Sequence, residues 1–534
     1  MLIELTKQQV PYVPAMTQPK RRPNVLVILT DQHRWDCLGA AGNAQVNTPH
    51  LDRLAAEGVR FTNSFCPFPV CTPSRYSLLS GLYVHQHGGW TNRCTLPPGT
   101  DTFPRLLQRA GYRTKAVGKM HFTPTYLDVG FDELELAEQD GDGRLDDDYH
   151  RDLMAHGLLD ADDLIDQRRE FRQRAPASYW ETYGAKTSNL PEGWHSTTWI
   201  GDRAVRALEA WTDEPHLLAV SFVKPHHPFD PPAPWDKMYD PDRLNLLPGW
   251  LDALPERDRE YHAGYFPNAG LTEPALRHVM AHYYATISHV DHQIGRMLDL
   301  LQRRGLYDNT LIVFTADHGE YLGFHHMLLK GGPMYDPLVR VPLLVKFPND
   351  AEAPPPGARL YDRSLQPRHE HATPDITAAG TRRDTLVSNV DLAPTILRRA
   401  GIEPPPHMRG LNLADPEADR PMLFAESRRG SGYMVRSRTH KLLLGRDPGN
   451  CHFFDLQSDP LELGDRFQDP SSGDLIRRLR DALADWLLFD AIPPPYVDEQ
   501  APTIRRPNVP DPADTHRQEM LAYFERQVTR YHSG

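Results

Sequence analysis

From Asn24 to Thr30 the chain reads Asn-Val-Leu-Val-Ile-Leu-Thr, with an unbroken β-branched and leucine run at its centre. A strand with one face in water alternates apolar and polar residues. A run that is apolar at every position predicts a strand covered on both faces, the situation of parallel sheets. Leu217 to Val223 and Leu311 to Thr315 are two further buried-strand runs. Leu276 to Leu301 carries apolar residues at 276, 279, 280, 283, 287, 290, 294, 297, 298 and 301, which is helical spacing. Pro49 to Gly58 reads as a short helix closed by glycine. Strands alternating with helices predict an α/β fold around a large, mostly parallel sheet.

Polar residues follow these runs. Asp31 follows the first, Lys224-Pro225-His226-His227 the second and Asp317-His318 the third. Open α/β sheets bind ligands at the carboxyl ends of their strands. Three strand ends bearing ligand-type residues therefore point to one site.

The 534 residues suffice for a large core and more than one domain. A net charge of −12 argues against nucleic acid as a partner. The short basic run Lys20-Arg21-Arg22 reads as a flank of the first strand. No apolar run is long enough to span a bilayer. Met1 to Pro23 lacks the hydrophobic region and cleavage site of a secretory signal. Five irregularly spaced cysteines (37, 66, 71, 94 and 451) do not make a disulfide framework and fit a reducing compartment, so a cytoplasmic location is expected.

Residues 1–22 read as an N-terminal extension and 23–410 as the main catalytic domain. Within it, Glu138 to Asp163 (acidic) and Ala351 to Asp384 (rich in Pro, Ala and charge) read as surface insertions. Residues 411–490 contain short strand-like pieces at Met422 to Glu426, Tyr433 to Arg436 and Lys441 to Leu444, then a helix at Leu475 to Leu488. This predicts a smaller α+β domain with an antiparallel sheet. The tail, 491–534, is proline-rich and then helical from about His516. It has no core of its own and is expected to wrap over its own body or to form a homo-oligomer contact with a second subunit.

Chemistry concentrates at Cys71-Thr72-Pro73-Ser74-Arg75. Proline at a first helical position has its φ pre-set and loses no needed N–H, so a helix is expected from Pro73 with Cys71 just ahead of it. Free N–H groups and the positive helix end would then face whatever residue 71 attacks, and an anionic ester is the natural guest.

The five-residue pattern resembles the recognition sequence of the sulfatase family, and the likeness extends from Asn24 to about Asp469. It implies an alkaline-phosphatase-like fold and a small anionic ester as substrate. It also implies oxidation of Cys71 to formylglycine, whose hydrate is the nucleophile, by a maturation enzyme. Gly111-Tyr112-Arg113-Thr114-Lys115-Ala116-Val117-Gly118-Lys119-Met120-His121 matches the second family signature. Two residues apart at a strand end, Lys119 and His121 can face the same way. By resemblance, Lys119 binds the sulfate and His121 takes a proton from the diol. His226, in Lys224-Pro225-His226-His227-Pro228-Phe229, and Lys330, in Leu329-Lys330-Gly331, match the residues that assist the leaving group. His227 has no counterpart and reads as a loop histidine.

The implied metal ligands are Asp31, Gln32, residue 71, Asp317 and His318. Asp31-Gln32 and Asp317-His318 depart from the commoner Asp-Asp and Asp-Asn pairs and resemble the choline sulfatase and phosphonate monoester hydrolase branches. Imidazole with carboxylates suits Mn²⁺, whereas an all-oxygen shell suits Ca²⁺; the divalent ion is expected to be Mn²⁺, with Ca²⁺ the alternative.

The mechanism implied is in-line attack of the residue-71 hydroxyl on sulfur. Arg75, Lys119 and Lys330 neutralise the sulfuryl oxygens, and the covalent sulfo-enzyme is broken down through His121. A phosphonate monoester or phosphodiester hydrolase on the same scaffold is the nearest alternative. Ser74, where that branch often carries alanine, favours the sulfatase reading. A non-catalytic binding protein of this fold would be expected to have lost some of Cys71, Arg75, Lys119, His121 or Asp317, and none is lost.

Overall fold

The computed structural model describes residues 22–139, 143–258, 266, 268–349, 380–415, 418–427, 432–491 and 514–533. The first 21 residues and most of the 351–384 stretch lie outside them, as does the tail from residue 492 to 513.

An eight-stranded sheet forms the centre. Its strands are β1 (Asn24–Thr30), β2 (Val59–Phe65), β3 (Arg113–Gly118), β4 (Glu133–Leu136), β5 (His216–Phe222), β6 (Thr310–Ala316), β7 (Leu343–Lys346) and β8 (Thr381–Ser388). They lie in the order β4-β3-β5-β1-β6-β7-β2-β8. All neighbouring pairs are parallel except those of β7, which runs against β6 and β2. The sheet is thus mixed and mostly parallel, as the apolar runs imply.

Alternation along β1 shows why the run must be apolar throughout. Val25, Val27 and Leu29 enter one core, with Leu107, Leu392 and Ile396 from helices Phe103–Arg109 and Leu392–Arg399. Leu26 and Ile28 enter the opposite core, with Leu54, Leu208 and Ile294 from helices Pro49–Glu57, Ser196–Glu209 and Glu273–Arg303. Both faces are covered, so neither set of positions tolerates a polar side chain.

The second sheet is antiparallel and has four strands: β9 (Leu423–Ser427), β10 (Gly432–Arg436), β11 (His440–Gly445) and β12 (His452–Asp455). Met434, Leu443 and Phe454 pack on the main body beside Phe65 and Leu338. Val435, Leu442 and Phe453 face the other way, onto Ile476, Leu479 and Leu483 of helix Gly473–Asp485. A buried ion cluster bolts this sheet to the body. Lys441 Nζ reaches Asp336 Oδ1 at 2.6 Å and Glu462 Oε1 at 2.7 Å, and Arg436 Nη2 reaches Asp336 Oδ2 at 3.0 Å. Burial pushes the Asp336 carboxyl up, but Arg436, Lys441 and Arg340 outweigh it and hold it well below the usual carboxylate range.

The terminal helix Asp514–Ser533 docks on its own chain. Tyr531 Oη donates to Asp162 Oδ1 at 2.7 Å, Tyr523 Oη donates to the Leu158 carbonyl at 2.8 Å, and Phe524 is buried beneath it. Among the described residues, no helix is long and apolar enough to cross a membrane, and all five cysteines are free.

The acidic stretch 138–163 is not a surface insertion. Glu138, Gln139, Asp146, Asp147, Asp160, Asp162 and Asp163 are all buried. The carboxylates are placed to satisfy backbone and cations rather than water. Asp147 and Asp160 cap helix starts, accepting from the His150 and Asp163 N–H groups at 2.8 and 3.2 Å. Asp163 pairs with Arg144, and Asp162 with Lys186 at 2.9 Å. Burial and the neighbouring Asp163 push Asp160 up to about 7.

Candidate active site

Strand register builds the site. Thr30 lies opposite Ala316 and Phe222 on the two flanking parallel strands, so β1, β5 and β6 end level. The next residues, Asp31-Gln32 and Asp317-His318, leave side by side. Gln32 turns with φ 62, and its N–H donates to Asp317 Oδ1 at 3.1 Å. The loop after β5 brings His226 to the same edge, where its Nε2 lies 3.9 Å from Asp31 Oδ1.

The helix Cys71–Ser80 enters from beneath. It begins at Cys71 itself, two residues earlier than the proline implies, with Val70 as its extended cap. The Thr72 N–H is not free for a ligand: it donates to Asn92 Oδ1 at 3.1 Å. What the helix start contributes is placement. Ser74 Oγ donates to the Asp317 carbonyl at 2.5 Å, locking the helix to the end of β6. Arg75, one turn in, spans both carboxylates, with Nε 2.9 Å from Asp317 Oδ2 and Nη2 3.0 Å from Asp31 Oδ2. It also donates to Ser221 Oγ at 2.8 Å and to the Lys119 carbonyl. Losing one partner of such a buried pair strands the other charge, so Arg75 is fixed as firmly as any residue here.

Lys119 and His121 do not reach the site by strand alternation. β3 ends at Gly118, whose φ of +94 suits glycine and whose missing Cβ would sit 2.1 Å from the Ser221 carbonyl. The chain turns there, and His121 sits at φ 56, with its N–H and that of Met120 donating to the Glu138 carboxylate at 2.9 Å. Lys119 Nζ then reaches Asp31 Oδ2 at 2.7 Å, and the His121 carbonyl accepts from Thr72 Oγ1 at 2.8 Å, which ties the histidine to the residue next to Cys71.

Lys330 completes the ring. Its Nζ lies 2.9 Å from Cys71 Sγ, 2.9 Å from His226 Nε2 and 3.2 Å from His318 Nε2. The Cys71 sulfur occupies the place of the hydroxyl that an oxidised residue 71 would carry. Burial alone would raise its thiol, but Lys330, Lys119 and His318 hold it well below its ordinary value. Burial, with Lys330, Lys119 and His227 nearby, drives His226 well below the ordinary imidazole value. His226 Nδ1 donates to the His227 carbonyl at 2.6 Å, so Nε2 is an acceptor toward Lys330.

Ligand atoms of Asp31, Cys71, Asp317 and His318 lie within 4.8 Å of one another, all buried. His318 Nδ1 donates to the Gly319 carbonyl at 2.9 Å, which leaves the Nε2 lone pair facing the two carboxylates. The Gln32 amide nitrogen donates to Glu320, and Gln32 Oε1 is buried with no hydrogen-bond partner among the described residues. An orphaned buried oxygen beside two carboxylates and an imidazole lone pair fits a divalent cation.

All ten sequence-predicted site residues thus meet at one strand edge. The residues that support them stand outside the sequence motifs. His227 is buried, stacks on His226 with ring centroids 4.2 Å apart, and is bound to Asp166 Oδ2 at 2.5 Å, so it is not an ordinary loop histidine. Glu138, Gln139, Glu320 and Asn92 anchor neighbours. The adjoining of Glu138-Gln139 to an acidic stretch disguised the first two, and no short motif marks the others.

The family model described as Sulfatase matches residues 23–402. The chain is 29% identical over 485 residues to an arylsulfatase of Clostridium perfringens, covering 86% of this chain and 94% of the relative. It is 27% identical to a choline-sulfatase of Rhizobium meliloti, over 88% of each chain. Among solved structures it resembles a phosphonate monoester hydrolase from Silicibacter pomeroyi, with a TM-score of 0.67 and 25% identity over 87% of this chain and 95% of that one.

Proposed function

The chain belongs to the sulfatase family, and we propose that it hydrolyses a sulfate monoester at the buried, cation-lined site around residue 71. The observation that carries this reading is Lys330 on the residue-71 side chain, with Lys119 and Arg75 on the adjoining Asp31 carboxylate, at the junction of two carboxylates and an imidazole. Two fixed lysines at a nucleophile position, backed by the Arg75 guanidinium, select an anionic ester and reject a neutral one.

On this reading Cys71 is oxidised by a maturation enzyme to an aldehyde, whose hydrate supplies the attacking hydroxyl. Asp31, Gln32, Asp317 and His318 hold a divalent ion, with Mn²⁺ favoured over Ca²⁺ by the imidazole. When bound, that ion lowers the pKa of the hydroxyl and draws off charge from the sulfuryl oxygens. The chain's own residues do the rest. Arg75 fixes the two carboxylates and adds positive charge behind them. Lys119 offers an N–H to a sulfuryl oxygen. Lys330 donates a proton toward the departing alkoxide, and neutral His226, with its Nε2 lone pair, steadies the Lys330 ammionium in that position. His121, tied beside residue 71 through Thr72, takes the proton that releases sulfate.

A second reading is hydrolysis of phosphonate monoesters or phosphodiesters. It is favoured by the likeness to the phosphonate monoester hydrolase and by the Asp-His pair at 317–318. These esters carry the same charge and tetrahedral shape as a sulfate ester.

The test is release of inorganic sulfate from 4-nitrophenyl sulfate, paired with the mass of the peptide containing residue 71. Active preparations are expected to carry that peptide lighter than the cysteine form by the exchange of H₂S for O, and Cys71→Ala to abolish turnover with the fold intact. Full activity from an unmodified thiol contradicts the aldehyde and assigns attack to the thiolate.

A further inference from the structure

We propose that Gln139 is a positioning residue that fixes Lys119 against the ester and ties it to the loop carrying His226. The proposal rests on the sulfatase reading only in giving Lys119 a sulfuryl oxygen as its partner.

The Lys119 ammonium has three donors. One goes to Asp31 Oδ2 at 2.7 Å and one to Gln139 Oε1 at 2.9 Å. The third has no partner among the described residues, on an ammonium that lies in the ring around residue 71. Asp31 alone leaves Lys119 free to swing about a single contact. The second anchor determines where the third N–H points.

Gln139 is itself held without slack. An ammonium only donates, so the amide oxygen must face Lys119, and both amide N–H groups face acceptors: Asp163 Oδ1 at 2.5 Å and the His227 carbonyl at 3.0 Å. Asp163 is in turn paired with Arg144, whose Nη1 also donates to the Gln139 carbonyl at 3.3 Å. Lys119, Gln139, Asp163 and Arg144 are each at most 3% exposed, so these contacts are made away from bulk water and a lost one is costly.

The His227 carbonyl connects the two arms. It accepts from His226 Nδ1 at 2.6 Å, from Gln139 Nε2 at 3.0 Å and from Gln167 Nε2 at 3.1 Å. The His226 bond sets the tautomer that presents Nε2 to Lys330. One amide therefore spans the lysine on the sulfuryl side and the histidine on the leaving-group side. A misplacement of about 1 Å at such a site is enough to cost on the order of a hundredfold in rate.

The experiment is a double-mutant cycle in the full-length, metal-loaded protein with Gln139→Met, Lys119→Met and the double variant. Two quantities are read: kcat/KM on whichever of 4-nitrophenyl sulfate and 4-nitrophenyl phenylphosphonate the wild type turns over faster, and calorimetric titration with inorganic sulfate. Gln139→Met is expected to lower both by about tenfold or more when Lys119 is present and by less than about twofold when Lys119 is absent. A structural role would lower both equally in the two backgrounds. Equal losses, no loss, or failure of the wild type to bind sulfate overturns the proposal. If neither ester is turned over, the sulfatase reading falls, while the sulfate titration still decides the role of Gln139. Should Gln139→Met not fold, Gln139→Asn, one methylene short of Lys119, is read in the same cycle with the same coupling expected.

Discussion

The Lys330 ammonium lies 2.9 Å from the side chain of Cys71, 259 residues earlier in the chain, and the same nitrogen lies 2.9 Å from His226 Nε2. A cation between a nucleophile position and a neutral imidazole is placed to serve the atom that leaves. Lys330→Ala is therefore expected to cost about a hundredfold or more on an alkyl sulfate, well beyond its cost on 4-nitrophenyl sulfate of similar size, whose phenolate departs unaided. Steady-state rates on the two esters check this. Equal losses on both would place Lys330 on the sulfuryl oxygens alone.

Metal binding gives a second expectation. Asp317 Oδ1 accepts from the Gln32 and His318 N–H groups at 3.1 and 2.9 Å, and its Oδ2 accepts from Arg75. Asp317→Asn removes a charge from the centre of that arrangement. It is expected to lower divalent metal affinity on the order of a hundredfold or more and to remove most of the rate. His318→Asn replaces the imidazole with an amide oxygen and should shift preference from Mn²⁺ toward Ca²⁺. Elemental analysis after dialysis against each ion checks both, and unchanged metal in both variants contradicts the ligand assignment.

Stability away from the site is expected to depend on Lys441. Its fully buried ammonium neutralises Asp336 and Glu462 between the two sheets. Lys441→Met leaves Glu462 buried without its cation and should cost about 3–5 kcal/mol, read as a lower urea midpoint. A loss below about 1 kcal/mol would mean that Arg436 and Arg340 alone satisfy the cluster.

The sequence carried the sheet because burial on both faces leaves a trace that composition cannot hide: β1, β5 and β6 are apolar at nearly every position. It carried the site because Asp31, His226 and Asp317 sit just past those strand ends, and Cys71 and Lys119 stand in recognisable local patterns. The turn at Gly118 that delivers Lys119 was not legible, because a left-handed glycine looks like any other until its neighbour, the Ser221 carbonyl, is known. The acidic stretch misled for a related reason. Charge density reads as solvation, whereas Asp147 and Asp160 cap helices that start beside them and Asp163 is paired with Arg144, which the fold brings near. Gln139 and His227 belong to this class: their roles depend on partners 20 and 61 residues away.

The central claim is that this site prefers a sulfate monoester. The direct measurement is kcat/KM on 4-nitrophenyl sulfate, 4-nitrophenyl phenylphosphonate, bis-4-nitrophenyl phosphate and 4-nitrophenyl phosphate, which share one leaving group, with a single metal-loaded preparation. The account predicts the highest value on the sulfate, secondary activity on the phosphonate and the diester, and the lowest on the phosphate monoester, which carries a second negative charge. A phosphonate or diester value more than about tenfold above the sulfate value, roughly 1.4 kcal/mol of additional transition-state stabilisation, would contradict it.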